Sequence, residues 1–260
     1  MRIPIFQVDA FSSKLFGGNP AAVCPLEEWL PDETMQSIAA ENNLSETAFF
    51  VSAGGHYDLR WFTPVVEVDL CGHATLAAAH VILNVLDSGA GQVVFETRSG
   101  ELTVSRDQDK LSMDFPSKPA EPCEPPSGML EALGGEPLEF LRGQYYLAVY
   151  ASETEIRELR PGFAALAGMD DAVIVTAPGD EVDFVSRFFA PRAGVPEDPV
   201  TGSAHCTLIP FWADRLGKTE LHALQVSRRG GELFCRHRGD RVTIAGRAVL
   251  YLEGSIRLPG

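Results

Sequence analysis

The feature that most constrains this chain is that it matches itself. Arg60-Trp61-Phe62-Thr63-Pro64 has a counterpart in Arg187-Phe188-Phe189-Ala190-Pro191. Each stretch then passes an Asp, Asp69 or Asp198, and reaches a Gly-polar-Ala triplet, Gly72-His73-Ala74 or Gly202-Ser203-Ala204. Each triplet leads into a small, apolar segment that reads as a helix. Further on, Ser99-Gly100-Glu101-Leu102 is echoed by Gly230-Gly231-Glu232-Leu233, and Asp109-Lys110-Leu111-Ser112-Met113 by Asp240-Arg241-Val242-Thr243-Ile244. The offset grows from 127 residues at Arg60 and Arg187 to 131 at Asp109 and Asp240. Two unrelated strand–loop–helix units would share turn residues but would not preserve this order. The repeat is too long for a solenoid unit. The expected organisation is a duplicated domain, residues 1–118 and 119–260, with ends that can cross over between the halves.

Composition permits that division. The chain has 260 residues, 45% hydrophobic and 22% charged, enough for two cores of about 130 residues each. Its formal charge of −15 argues against nucleic acid or an anionic membrane as a partner, since both repel negative charge. A local positive pocket for a small anionic metabolite remains compatible with it. The five cysteines, Cys24, Cys71, Cys123, Cys206 and Cys235, are odd in number and show no CxxC spacing. With no signal-peptide pattern, reduced thiols and a cytoplasmic location are expected. The apolar run from Leu76 to Leu86 is broken by His80 and Asn84 and is too short to span a bilayer.

The local signals follow in order. Ile3 to Phe11 alternates as a strand, Phe16-Gly17-Gly18-Asn19-Pro20 is a turn, and Ala21 to Cys24 returns as a strand. Pro31-Asp32-Glu33 opens a helix that runs to about Glu41, with Met35, Ile38 and Ala39 inward, and Asn42-Asn43 ends it. Tyr57 to Phe62 is a strand, and Phe95 to Phe115 holds two or three antiparallel strands. Pro116 to Pro126 is the crossover between halves. The second half repeats the plan. Gln144 to Tyr150 is extended and Ile156 to Ala167 mostly helical, with strands at Val173 to Thr176 and Phe184 to Phe189. A helix after Ser203 turns Leu208, Phe211, Trp212 and Leu216 inward and stops at Gly217. Antiparallel strands with one long, small-residue apolar helix per half pack most economically as a sheet curled around that helix.

Glu46 stands out among the charged residues. It sits at the start of the apolar run Thr47-Ala48-Phe49-Phe50-Val51, where a carboxylate is partly desolvated. Desolvation raises a carboxyl pKa and suits it to proton shuttling. A Glu on the solvent face of an edge strand is the plain alternative. At the same offset the second half has Ala172 within Asp170-Asp171-Ala172-Val173, so this carboxylate belongs to one half only. The Gly72 and Gly202 loops deliver free N–H groups of a helix first turn, which bind anions such as carboxylates. Two such termini related by pseudo-symmetry would face a common cleft and clamp an acidic substrate. Well-capped helices explain Thr201 and Ser203 adequately, but not the presence of both Asp198 and His73 at equivalent loops.

No metal is expected. His73 and His80 are seven apart, wider than zinc-binding helices use, and His205, His222 and His237 have no ligand spacing with any Cys. No Walker A motif, no Gly-x-Gly-x-x-Gly after a strand and no Gly-x-Ser-x-Gly elbow occurs, so no nucleotide cofactor is expected either.

These residues resemble the phenazine biosynthesis PhzF-like family, within the diaminopimelate epimerase-like fold. The resemblance covers essentially the whole chain. It rests on Phe11 followed by Gly18-Asn19-Pro20, on Asn43-Leu44-Ser45-Glu46-Thr47-Ala48-Phe49 and Arg60-Trp61-Phe62-Thr63-Pro64, and on Cys71-Gly72-His73-Ala74-Thr75 and Glu197-Asp198-Pro199-Val200-Thr201-Gly202-Ser203-Ala204. It implies an α+β fold of two pseudo-symmetric domains, each a mostly antiparallel, barrel-like sheet around a central helix, with the site between them. It implies a cofactor-free isomerase and a homodimer. It places the general acid/base on Glu46, with His73, Asp198 and Ser203 beside the substrate. The Gly72 and Gly202 amides would hold a carboxylate, with Ser45 and Thr201 nearby. The expected chemistry is a proton shift along a small acidic molecule. Two alternatives stay open. One is an epimerase or racemase of the same fold using a thiol from each half, against which Thr201 stands opposite Cys71. The other is a metabolite-binding or interaction protein on an enzyme fold.

Overall fold

The computed structural model describes residues 1–258. The chain divides into two compact units, Met1–Asp114 with Ala245–Gly260, and Phe115–Ile244.

The first unit contains β1 (Arg2–Ala10), β2 (Asn19–Leu26), α1 (Asp32–Asn42), β3 (Glu46–Ser52), β4 (Tyr57–Phe62) and the short β5 (Glu67–Val68). It continues with α2 (Gly72–Val81), which runs on as a π-helical turn through Ile82–Leu86, and with β6 (Gln92–Thr97), β7 (Gly100–Asp107) and β8 (Lys110–Pro116). β1 and β2 pair antiparallel, β2 and β3 parallel, β3 and β4 antiparallel, β4 and β6 parallel, and β6–β7–β8 antiparallel. Parallel neighbours need a crossover, and a helix supplies each one: α1 joins β2 to β3, and α2 lies between β4 and β6. α2 packs on β1, β2 and β3 and is buried from His73 to Ala79. Ala74, Ala77, Ala78 and Ala79 let the strands approach its backbone on every side. α1 starts at Pro31 with Asp32 and Glu33 in its first turn, and Asn43 ends it in a left-handed conformation at φ 51°.

One glycine here is required by geometry. Gly18 sits at φ 63°, and a Cβ on it would lie 2.1 Å from the Ala10 carbonyl oxygen. This close approach turns the chain back so that β2 begins at Asn19.

The second unit contains β9 (Glu121–Pro122), α3 (Met129–Leu133), β10 (Glu139–Arg142), β11 (Tyr146–Val149), α4 (Glu153–Glu158), α5 (Phe163–Leu166) and β12 (Val173–Pro178). β13 (Phe184–Ala190), β14 (Val195–Asp198), α6 (Gly202–Leu216), β15 (Glu220–Gln225), β16 (Gly231–Arg238) and β17 (Arg241–Gly246) complete it. The pairing series is that of the first unit: β10–β11 antiparallel, β11–β12 parallel, β12–β13 antiparallel, β13–β15 parallel and β15–β16 antiparallel. The α6 helix takes the place of α2. Trp212 on α6 stacks on Phe184 at 5.7 Å and donates its Nε1–H to Thr176 Oγ1 at 2.9 Å.

Two expectations in this unit need correction. The stretch from Ile156 to Ala167 is two short helices, because Pro161 lacks an N–H and Arg160-Pro161-Gly162 breaks the ladder. Leu216 is 40% exposed and Phe211 only half-buried. The last turn of α6 leaves the core once Trp212 has filled it.

The final strand, β18 (Ala248–Arg257), runs antiparallel along β1 from Arg2↔Arg257 to Ala10↔Ala248, with one register shift at Gln7/Val8. The C-terminal segment therefore packs with the first unit, not with the half of the sequence it follows. β9, which follows β8 in sequence, belongs to the second unit and pairs there with β10. Among the described residues no helix is long and apolar enough to cross a membrane.

Candidate active site

Glu46 is the first residue of β3, where it stands opposite Ala21 of β2. His73 is the second residue of α2, and Cys71 is the residue that precedes the helix. The fold brings all three side chains together. Glu46 Oε2 lies 3.0 Å from His73 Nε2, and Cys71 Sγ lies 3.5 Å from Nδ1 and 4.0 Å from Nε2 of the same ring. Asn19, at the start of β2, puts its Nδ2 3.2 Å from His73 Nδ1. The His73 and Cys71 side chains are buried, whereas the Glu46 side chain keeps 18% of its surface open.

These contacts fix where the imidazole proton lies. With a neutral ring, Nδ1 accepts from the Asn19 amide and Nε2 carries the proton. With a charged ring, both nitrogens carry one. In either state Nε2 carries a proton, and Glu46 Oε2 lies 3.0 Å from it without an aligned hydrogen bond. Burial works against the charged ring, but the negative charges of Cys71, if ionised, and of Glu46 outweigh it and hold His73 well above the usual histidine range. Burial, reinforced by the Glu46 charge, pushes the Cys71 thiol up to about 11. With the thiol pushed up, Glu46 is the charge beside the ring that favours its protonated form against burial.

Neither α2 nor α6 has a side chain capping its first turn. The plain alternative of a side-chain-capped helix does not hold at Thr201. Its hydroxyl donates to Asp198 Oδ2 at 2.5 Å. Buried Gln225, the last residue of β15, ties the loop down: its Oε1 accepts from Thr201 N–H at 2.9 Å, and its Nε2 donates to the Asp198 carbonyl at 2.8 Å. Ser203 Oγ lies 3.1 Å from the Tyr145 hydroxyl, which accepts from Gln144 Nε2 at 2.9 Å. The loops before both helices are braced alike. Arg60 grips Glu67, and Arg187 grips Glu197, each through Nε and Nη2 on the two carboxylate oxygens.

The named candidates thus fall into two local groups. Glu46, Gly72 and His73 gather in the first unit, with half-buried Ser45 next to Glu46 in the chain. Asp198, Thr201, Gly202 and Ser203 gather in the second. Four participants escaped the list of candidates. Asn19 and Cys71 were visible only as parts of motifs. Tyr145 and Gln225 carry no local signal, since their partners lie 58 and 24 residues away. His80, seven residues from His73, belongs elsewhere and pairs with Asn84 at 3.0 Å. Metal-binding capacity lies instead with Glu46, Cys71 and His73, whose ligand atoms all fall within 4.8 Å of one another.

Residues 8–254 match the family described as phenazine biosynthesis-like protein, PhzC-PhzF. The chain belongs to this family. Among its relatives are an uncharacterized isomerase of Pseudomonas aeruginosa, 57% identical over 99% of this chain and 100% of the relative, and one of Halalkalibacterium halodurans, 46% identical over 99% and 100%. A crystal structure of a PhzF family protein from Enterococcus faecalis superposes with a TM-score of 0.97 at 47% identity, covering 99% of this chain and 100% of that one. A hydroxyproline epimerase from Agrobacterium vitis, solved with trans-4-hydroxy-L-proline, shares the fold alone, with a TM-score of 0.60 at 11% identity over 98% and 92% of the two chains. This PhzF-family protein is an isomerase on the α+β epimerase-like fold that the resemblance implied.

Proposed function

We propose that this isomerase moves a proton along a small carboxylate-bearing metabolite, with Glu46 as the general acid/base. The observation that carries the reading is the 3.0 Å approach of Glu46 to a buried imidazole, with the carboxylate itself left partly open. A carbon acid needs a positioned base and a group that holds or returns the proton. Glu46 takes the proton from the activated carbon. His73 Nε2–H orients the carboxylate and relays protons. The open first turns at Gly72 and Gly202 donate N–H groups to the substrate carboxylate and to the enolate-like charge as it develops. Asp198, held by Thr201, and Ser203, held by Tyr145, are proposed to orient polar substituents of the substrate. The reaction is written without a resident cofactor.

A two-thiol epimerase is the weaker reading. Cys71 precedes α2, but Thr201 occupies the same place before α6, so the second thiol is missing there.

The test is proton–deuterium exchange. The protein is incubated in D2O with a panel of small cyclic and acyclic amino and hydroxy acids, including a dihydroanthranilate-type acid, and C–H loss is followed by NMR. Exchange should occur with at least one acid and vanish in Glu46→Gln, while that variant keeps its fold and its ligand binding. Normal exchange in Glu46→Gln would sink the assignment.

A further inference from the structure

We propose that Glu46, Cys71 and His73 form a zinc-type site that, once filled, withdraws Glu46 from proton transfer. The second half of that statement rests on the role proposed above for Glu46; the binding itself does not.

The donors are one thiol, one imidazole and one carboxylate, brought from β3 and from the N-terminal end of α2. Zinc takes such ligands at about 2.3 Å from sulfur and about 2.0–2.2 Å from nitrogen or oxygen, so neighbouring donors of a tetrahedral site stand roughly 3.3–3.6 Å apart. Here Nε2 and Oε2 are 3.0 Å apart, Sγ and Nε2 are 4.0 Å apart, and no pair exceeds 4.8 Å. An ion can enter this triangle with small side-chain adjustments and no backbone movement.

Two further observations point to a ligand rather than to a finished hydrogen-bond network. Glu46 Oε2 is buried and makes no aligned hydrogen bond, its contact with His73 being close but off-axis. Cys71 does not cap α2, although it stands at the capping position; its sulfur lies against the imidazole instead. An outer-shell partner is also within reach. A metal on His73 Nε2 leaves Nδ1–H to donate; the Asn19 carboxamide, whose Nδ2 now lies 3.2 Å from Nδ1, would accept it only after turning to present Oδ1. The set gives three protein ligands, with a fourth position open on the exposed side of Glu46 for water or a small anion. A thiolate and an imidazole select zinc or cobalt over magnesium or calcium, which prefer all-oxygen sites.

The experiment is a titration of chelator-treated full-length protein, in a non-coordinating buffer, with Zn2+ by calorimetry and with Co2+ by absorption. One Zn2+ should bind per chain, and Co2+ should produce a thiolate charge-transfer band. Mg2+ should not bind. Cys71→Ser should remove the band and weaken Zn2+ binding at least ~100-fold, and His73→Asn should weaken it at least ~10-fold. The Co2+ band in the unsubstituted protein decides the matter even if a variant fails to fold. Absence of the band, or its persistence in folded Cys71→Ser, would overturn the site. Zn2+ saturation should also stop the deuterium exchange. Saturation with exchange undiminished would overturn the blocking effect and count against Glu46 as the base, while leaving the site in place.

Discussion

Arg60 holds Glu67 through two parallel contacts, Nε to Oε1 at 2.7 Å and Nη2 to Oε2 at 2.8 Å, in the loop that delivers Cys71, Gly72 and His73 to the head of α2. Arg187 and Glu197 repeat the grip at 2.7 and 3.0 Å before α6. Only a guanidinium offers this planar fork. Arg60→Lys and Arg187→Lys should therefore each behave as a loss. Each should destabilise its unit by roughly 2 kcal/mol, less than the ~3–5 of a fully buried pair, because both arginines keep some solvent contact. Urea unfolding of the two variants checks this. Equal stability to the parent protein would make the fork incidental.

Gly18→Ala should be among the most damaging single changes in the first unit. The added Cβ would meet the Ala10 carbonyl oxygen at 2.1 Å, and φ 63° disfavours any side chain there. A loss of at least about 2 kcal/mol is expected. Exchange activity should fall too, because the next residue is Asn19, which holds His73. Thermal unfolding and the exchange assay on the same preparation read both effects.

Stability should fall on acidification through a buried histidine of the second unit. His205 on α6 is fully buried, and its Nδ1–H donates to the Thr201 carbonyl at 2.8 Å. Burial pushes its pKa down to about 4, from an ordinary value of 6.5. The unfolded chain therefore binds the extra proton between pH 6.5 and 4, and stability is lost as pH falls through that window. The full effect is about 3 kcal/mol, and about 2 kcal/mol should be gone by pH 5. His205→Asn, which keeps a donor in the place of Nδ1, should flatten the slope by that amount. An unchanged difference between unfolding free energies at pH 7 and pH 5 would reject His205 as the cause.

The cysteines should be silent in the native protein, with one exception. Burial pushes Cys24 up to about 12 and Cys71 and Cys206 up to about 11, and it raises Cys235 further still. Only Cys123 is partly exposed. Iodoacetamide at neutral pH should add one group promptly, at Cys123, and reach the other four only in denaturant. Mass spectrometry of the peptides reads this directly. Prompt labelling of Cys71 would mean that its thiol is ionised beside His73.

The architecture was largely legible because duplication writes each strand–loop–helix unit twice, so the matched arginines, prolines and glycines report geometry that one copy would not. Glu46 could be singled out because a carboxylate begins an otherwise apolar strand and has no counterpart near Ala172. What could not be read are contacts that the chain makes only after folding. Asn19 reaches His73 across 54 residues, and Tyr145 reaches Ser203 across 58. Gln225 reads as one polar residue at the end of an alternating strand, yet it is buried and holds the Asp198–Thr201 loop from both sides. The exposed Leu216 shows the opposite limit. Helical periodicity marks which face a residue shares, but not where the core beneath that face stops.

The pairing of β18 with β1 has a consequence for synthesis. A ribosome releases β1 well before its partner strand, since every strand from β9 to β17 emerges between β1 and β18. Domains commonly complete themselves from the N-terminus as the chain grows. In this protein the middle unit has all its pieces first. The unit begun at Arg2 must wait with one edge of β1 unpaired, an adhesive surface for other nascent strands, until residues 248–257 arrive to close it.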